Sequence, residues 1–505
     1  MKTLINLFLL LLIYCSCSTA SKNLTPTPDT NQIDQTKNLT SEDYLAFKGK
    51  KGSLRDELAN SAAQKVSKLS IDKPIREVKN VLFFSFCSVS TSYLPLFGKS
   101  NLSLAESELP NLSKIFNKSF LFTSAFTDLS WSNARRYAFI NEWRKIYGIN
   151  NRWEEPIQDW SQEGVKVSFV RIPGKEDMKN MYNEYFTDER LTYPLEKFDE
   201  VINEVDKRRK EQKEKRYIML HFKIMHYPYL SSTYLNNREI LNETFTKEEL
   251  SLISEYNKNP ELYPEKYSFF QMTFGDEKFK KLYFNSSNQY IAYATDVTSV
   301  EKWKKSKNFE IDFSILVKSY KLRLKDFDRL IGKLWDYYSR IESDTALVLG
   351  GDHGESLLEH DYISHGTVPY DEVLKFFQAV HFPGQKNKII YDKQISQKSL
   401  GLMIEDIAIG TRNEANFLEN KFMKMVDNKI FGFSCAGDIA SVRDVTGWKF
   451  IYNIPEEKFS LFDIKLDPNE KVDLSAKNDE LVMHYKTLIL DHLARRVISP
   501  DICFR

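Results

Sequence analysis

The run Asn80–Phe86 (NVLFFSF) carries apolar side chains at successive rather than alternate positions. A strand built from it must be buried on both faces, which calls for a parallel or mainly parallel sheet covered by helices on each side. Phe120–Ala125, Val165–Val170 (VKVSFV), Tyr217–Phe222 (YIMLHF) and Thr345–Leu349 (TALVL) read as further strands. Leu109-Pro110-Asn111 opens a helix that reaches Phe116, and Lys197–Lys215 reads as a charged helix. Leu316, Tyr320, Leu324, Phe327, Ile331 and Leu334 recur at three- and four-residue spacing, so a long amphipathic helix feeds the TALVL strand. Strand–helix–strand alternation with right-handed crossovers predicts an α/β fold, a doubly wound, mainly parallel central sheet with helices on both faces. From about Ser441 the pattern changes. Val442–Tyr452 and Ser460–Asp463 predict short antiparallel strands and Leu481–Leu493 a last helix, together a small α+β C-terminal subdomain. Residues 235–312 are polar and aromatic without a clean period and read as an insertion over one face of the sheet.

Sites in such sheets form at the carboxyl ends of the strands. Gly351-Asp352-His353-Gly354-Glu355-Ser356 stands at one such end, followed by Glu359-His360, Ser364-His365-Gly366 and Tyr370-Asp371-Glu372. A carboxylate beside an imidazole can reach one divalent ion, and the glycines let the backbone turn sharply there.

These residues resemble the GDHGE…EH…HG…YDE signature of sulfatases and of related phosphoryl and phosphoglycerol transferases in the alkaline-phosphatase superfamily. Other segments agree, in the family's order. Asn80–Gly98 resembles its first strand and following loop, Leu109–Leu112 its "TPNL" helix start, and His221…Met225-His226-Tyr227-Pro228-Tyr229 its "H…DPHxPY" strand end. His381–Gly384 is similar to "xxPG", Val442–Tyr452 to the "RtgyKyi" hairpin, and Leu461-Phe462-Asp463…Asp467-Pro468-Asn469-Glu470 to "LYDL..DPxE".

The resemblance implies ester hydrolysis at a metal-bound nucleophile, either a formylglycine hydrate or an unmodified Thr or Ser. Ser132 falls at the nucleophile position, within a loose S-x-[AP]-x-R pattern that brings Arg136 to hold the nucleophile or the oxyanion. The family's LTG stretch downstream is replaced by Phe139-Ile140-Asn141-Glu142. By the same resemblance His226 serves as general acid, His365 as a further catalytic group, and His221 and Lys223 as anion donors to the substrate. Asp352 and His353 bind the metal. A larger departure lies at the first strand, where the family has metal-binding Asp or Glu. Here Cys87-Ser88 stands, with Ser92 at a later Asp position. The resemblance implies one Ca²⁺ or Mg²⁺, hard ions that prefer carboxylates. Cys87 with Asp352, His353 and His365 instead suits Zn²⁺, and Mn²⁺ is a further candidate.

Lys2 followed by the apolar run Leu4–Tyr14 reads as a secretory signal, too short for a membrane span of roughly 20 residues. Ser18-Thr19-Ala20 offers a cleavage site after residue 20, while Cys15 or Cys17 offers a lipid anchor to a membrane. The expected location is therefore extracytoplasmic: secreted, periplasmic or held at the envelope. The domain reading is a signal at 1–20, a tether and lead-in at 21–77, a catalytic domain at 78–435 and the C-terminal subdomain at 436–505. The chain of 505 residues has 71 Lys+Arg against 70 Asp+Glu, a net charge of +1 that gives no field for nucleic acid. The expected partner is a small-molecule or glycan sulfate or phosphate ester. Three functions compete: a sulfatase-like hydrolase, a non-catalytic binding protein that keeps the pocket, and a phosphoglycerol or phosphoethanolamine transferase.

Overall fold

The computed structural model describes Val78 and residues 80–97, 103–127, 165–171, 215–222, 224–230, 232–274, 297–397, 431–436 and 439–495, with single positions between 202 and 210 and Ile407. The expected leader, the tether and most of the 197–215 helix lie outside the described residues.

The apolar run becomes strand β1 (Asn80–Phe86), buried at every position as its sequence requires. Helix α1 (Pro110–Phe116) follows, and then β2 (Phe120–Phe126), β3 (Val165–Arg171) and β4 (Lys215–Phe222). After a helical segment come β5 (Thr345–Gly351), the two-residue strands β6 (Ser356–Leu357) and β7 (Ile363–Ser364), the short helix α2 (Asp371–Leu374), β8 (Lys375–His381), β9 (Ile389–Tyr391) and β10 (Ile395–Ser396). The central sheet has eight strands in the order β10-β2-β8-β5-β1-β4-β3, with β9 also on β2. All its pairings are parallel except those of β8, which runs antiparallel to both β5 and β2. The sheet is thus mixed and mainly parallel.

The periodic stripe forms helix α3 (Phe309–Ser339), 31 residues long. Its Leu316, Tyr320, Leu324, Phe327, Ile331 and Leu334 are fully buried. Phe327 meets Phe86 edge-on at 4.9 Å, which seats the helix on the end of β1. Its Asp328 caps α1, accepting from the backbone amides of Asn111 at 3.2 Å and Leu112 at 2.8 Å. Gly332 permits that close approach, since a Cβ there would sit 2.8 Å from the Asn111 side chain.

The segment read as aperiodic is helical where it is described: α4 (Arg238–Thr244), α5 (Lys247–Lys258), α6 (Tyr267–Thr273) and α7 (Val297–Lys304). These helices are too short to show a period. They are fixed by a capping box on Thr246 and Glu249 and by burial of Tyr256, Phe269, Phe270 and Trp303. At their centre Asp312 accepts from Lys266, from the Tyr256 hydroxyl at 2.8 Å and from the Trp303 indole at 3.2 Å. Among the described residues no helix is long and apolar enough to cross a membrane.

The C-terminal part is a four-stranded antiparallel sheet, β11 (Phe431–Ala436), β12 (Ile439–Asp444), β13 (Trp448–Asn453) and β14 (Lys458–Asp463), followed by helix α8 (Asp479–Arg495). It is joined to the main sheet by buried charge. Lys449 on β13 lies 2.8 Å from Asp371 and 2.5 Å from Glu470, and Arg443 on β12 also pairs with Asp371. Burial raises the Asp371 pKa, but Arg443 and Lys449 more than offset it and hold the group well below the usual carboxylate range. Burial and the like charges of Asp371 and Glu372 push Glu470 up to about 7 despite Lys449. Removing the Lys449 charge leaves the buried Glu470 without its cation and the partly exposed Asp371 with Arg443 alone. Lys449→Met is therefore expected to cost about 3–5 kcal/mol, read as a lower urea midpoint at neutral pH. An unchanged midpoint would contradict this account of the joint.

Candidate active site

Strands β1 and β5 are neighbours in parallel, with Phe86 opposite Gly351. Whatever follows each strand therefore emerges at the same edge of the sheet. The pairing continues one step further: the Asp352 amide donates to the Phe86 carbonyl at 2.9 Å, and the Cys87 amide donates to the Phe222 carbonyl of β4 at 2.9 Å. This brings together Cys87, Ser88, Asp352 and His353, none more than 1% exposed. Cys87 Sγ is 3.7 Å from His353 Nε2, and that nitrogen is 3.5 Å from Asp352 Oδ1. The three donor atoms lie within 4.8 Å of one another.

Backbone geometry holds them there. Asp352 Oδ1 accepts from the amides of His353 at 2.7 Å and Ser88 at 3.3 Å. Ser88 takes a φ of 60°, the left-handed region that costs a non-glycine residue on the order of 1 kcal/mol or more. Tyr320 over-determines that turn: its hydroxyl donates to the Ser88 carbonyl at 2.9 Å and accepts from the Ser90 amide at 2.8 Å. At Gly354 a Cβ would lie 2.0 Å from the Glu372 carbonyl oxygen, so only glycine lets the loop pass.

A second layer surrounds this core. Ser88 Oγ is 3.4 Å from His365 Nδ1, which is also 3.1 and 3.2 Å from the two Glu355 carboxyl oxygens. Burial pushes Glu355 up to about 8. The His365 ring stands 4.2 Å from that of His353 and 5.2 Å from that of His226. His226 Nδ1 donates to the Tyr227 carbonyl at 2.8 Å.

Of the residues singled out in the sequence, Cys87, Ser88, Asp352, His353, His365 and His226 converge. His221 is the penultimate residue of β4, in register with Ser85 of β1. Ser92 lies in the single turn Thr91–Tyr93. Ser132, Arg136 and Lys223 lie outside the described residues. Two contributors were missed. Glu355 sits in the GDHGE run itself, but only its burial against His365 marks it out. Tyr320 looked like one more core position of α3, and its hydroxyl was the only hint of a second duty. His360 belongs elsewhere. It stacks on Tyr370 at 3.8 Å, with Nδ1 on Glu372 at 2.7 Å and Nε2 on the Glu470 carbonyl at 3.1 Å, and it fastens the site loop to the C-terminal part.

Cys87, Asp352 and His353, at adjacent strand ends of a mainly parallel sheet with histidines behind them, are side chains of the types that ligate a divalent ion. The chain belongs to the sulfatase family, whose model matches residues 109–398. Solved structures share the fold. One, a protein in complex with its substrate D-glucosamine-2-N,6-O-disulfate, aligns at 14% identity over 84% of this chain and 99% of its own, with a TM-score of 0.55. A 2-O glycosaminoglycan sulfatase aligns at 13% identity over 84% and 93%, with a TM-score of 0.55. The phosphonate monoester hydrolase of Agrobacterium radiobacter aligns at 13% identity over 83% and 96%, with a TM-score of 0.52. No protein of curated function matches the sequence.

Members of the family generally use a divalent metal. The donors at this site are one carboxylate, one imidazole, one thiol and one hydroxyl. That set fits a divalent ion that accepts nitrogen and sulfur, and it fits poorly an ion that needs six to eight oxygens.

The His360 latch gives stability a pH dependence. Burial lowers the imidazole pKa, but the bond to Glu372 more than restores it, leaving the value above the ordinary 6.5. With the folded value raised, the charged His360 contributes its full stability below about 6.5 and loses it as pH rises through the folded value. The urea midpoint should fall over that rise, and His360→Gln should flatten the profile there. A wild-type profile no steeper than the variant's would refute the latch.

Proposed function

We propose that the chain is a hydrolase of sulfate monoesters, with sulfated sugars as the first substrates to test and phosphate or phosphonate monoesters as the neighbouring class. The observation that carries this reading is the convergence of Cys87, Asp352 and His353 with His365 and His226 at one edge of the sheet, with Cys87 placed by the end of β1, His226 by the chain after β4 and the other three by the chain after β5. The sulfated amino-sugar bound to one structural neighbour and the glycosaminoglycan sulfatase activity of another support the choice of ester.

In this reading Cys87, Asp352 and His353 hold the cation, with the Ser88 hydroxyl beside them. When bound, the cation polarises the sulfuryl oxygens and lowers the pKa of the attacking group. Ser132, as an unmodified hydroxyl or as the hydrate of formylglycine, gives up its proton and attacks sulfur to form a sulfo-enzyme, which water (at the serine ester) or elimination of sulfate (from the hydrate) then clears, and Arg136 steadies the developing charge. The ester S–O bond breaks, and the departing alkoxide takes a proton. His226, with Nδ1 committed to Tyr227, supplies that proton from Nε2. Glu355 orients His365 toward Ser88. His221 and Lys223 bind the sulfate oxygens. The apolar run Leu4–Tyr14 supports action outside the cytoplasm, with release after Ala20 or retention through lipid on Cys15 or Cys17.

A second reading, a non-catalytic protein that binds sulfated glycans, draws support from Cys87-Ser88 standing where the family has carboxylates. Turnover separates the two. Hydrolysis of an aryl sulfate or of glucosamine 6-sulfate by the purified protein is expected, and His226→Ala should lower kcat on the order of 10²-fold or more. Retained sugar binding with no turnover for any sulfate, phosphate or phosphonate ester would reject the hydrolase and leave the binding protein.

A further inference from the structure

We propose that the ion at this site is held by the Cys87 thiolate, and that the site selects Zn²⁺-class ions over Ca²⁺ and Mg²⁺. The inference rests on reading the ends of β1 and β5 as the reaction centre, and it adds the identity of the ion and of its distinctive ligand.

The first ground is distance. A tetrahedral Zn²⁺ with Zn–S of about 2.3 Å and Zn–N or Zn–O of about 2.0–2.1 Å spaces sulfur from nitrogen by roughly 3.6 Å and nitrogen from oxygen by roughly 3.3–3.4 Å. Cys87 Sγ and His353 Nε2 are 3.7 Å apart, and His353 Nε2 and Asp352 Oδ1 are 3.5 Å apart. Two edges of the coordination tetrahedron are therefore in place to within about 0.2 Å of that geometry.

The second ground is the proton on His353. Its Nδ1 lies 2.7 Å from the Gly354 carbonyl, which can only accept, so Nδ1 carries hydrogen. Nε2 is therefore the ring nitrogen turned toward Cys87 Sγ and Asp352 Oδ1, the one a metal would take. On binding of a dication there, the S–H bond of Cys87 breaks, a sulfur–metal bond forms and one proton leaves to solvent. A carbonyl fixing the far nitrogen of a ligating histidine is the usual support of a metal site.

The third ground is charge and rigidity. Thiolate and carboxylate together supply two negative charges, which neutralise a dication in a fully buried setting. Ser88 Oγ, 3.4 Å from Cys87 Sγ, can donate to the thiolate. Gln397 Nε2 donates to the Asp352 carbonyl at 2.9 Å, and Phe86, the residue before Cys87, is clamped between Phe222 at 5.4 Å and Phe327 at 4.9 Å. Ca²⁺ asks instead for six to eight oxygens and a flexible cage.

Cobalt reports the thiolate directly. The full chain, stripped with chelator under reducing conditions, is titrated with Co²⁺. The expected result is a near-ultraviolet sulfur-to-cobalt charge-transfer band that saturates at one ion per chain. Zn²⁺ should abolish it, and a large excess of Ca²⁺ or Mg²⁺ should leave it unchanged. Cys87→Ser should remove the band and weaken Zn²⁺ binding by more than about 100-fold, with far-ultraviolet circular dichroism unchanged. Asp352→Asn, which keeps the thiol, should keep the band at reduced affinity and so guards against a folding artefact in the first variant. Co²⁺ bound without the band, a band that survives Cys87→Ser, or Ca²⁺ displacing Co²⁺ stoichiometrically would each overturn the proposal. Those failures are distinct from failure of the proposed function, because ester hydrolysis supported by Ca²⁺ or Mg²⁺ would leave the hydrolase standing with a different ion. A thiolate band without hydrolysis would do the reverse.

Discussion

The pairing of β1 with β5 is the constraint on which the rest of the site depends. Two buried parallel strands in register, continued by the Asp352 amide on the Phe86 carbonyl at 2.9 Å, set residues from distant parts of the sequence within a few ångströms. No loop has to be ordered for this. The hydrophobic burial that folds the sheet also positions Cys87 against Asp352 and His353. The left-handed Ser88, the intolerance of Gly354 to any side chain and the Tyr320 hydroxyl are local devices that hold the chain as it leaves those strands. Tyr320 shows how far the constraint extends, since it joins the long helix to the turn after β1 through two hydrogen bonds.

Much of this was legible in the sequence because burial on both faces writes itself plainly. Asn80–Phe86 was read as a strand and is one, residue for residue. The Leu316–Leu334 stripe gave the long helix, though not its extra turns, because polar residues at either end continue the helix without marking it. The antiparallel course of β8 was not legible, since KFFQAVH reads the same in either direction. The helical character of 238–304 was hidden for another reason. Short helices depend on caps and on tertiary burial of scattered aromatic residues, and neither leaves a period.

At the site, the residues named by motif fall into three groups. Cys87, Ser88, Asp352, His353, His365 and His226 are together in space. His360 sat within the motif run but serves as a fastener between the site loop and the C-terminal sheet. Ser132, Arg136 and Lys223 lie outside the described residues, and the roles expected of them rest on the sequence alone. What sequence could not convey is electrostatic context. Glu355 becomes notable only once it is buried against His365, and Lys449 and Asp371 only once they are seen to join two parts of the fold.

The proposed centre is defined by where the ion and the ester meet. An anomalous difference map at the zinc edge, from crystals grown with Zn²⁺ and a sulfate ester, tests that most directly. It should show one peak within about 2.0–2.3 Å of Cys87 Sγ, His353 Nε2 and an Asp352 oxygen, with the sulfuryl group at the open side of the ion. A peak bound elsewhere, or a sulfuryl group lodged away from the ends of β1 and β5, would contradict it.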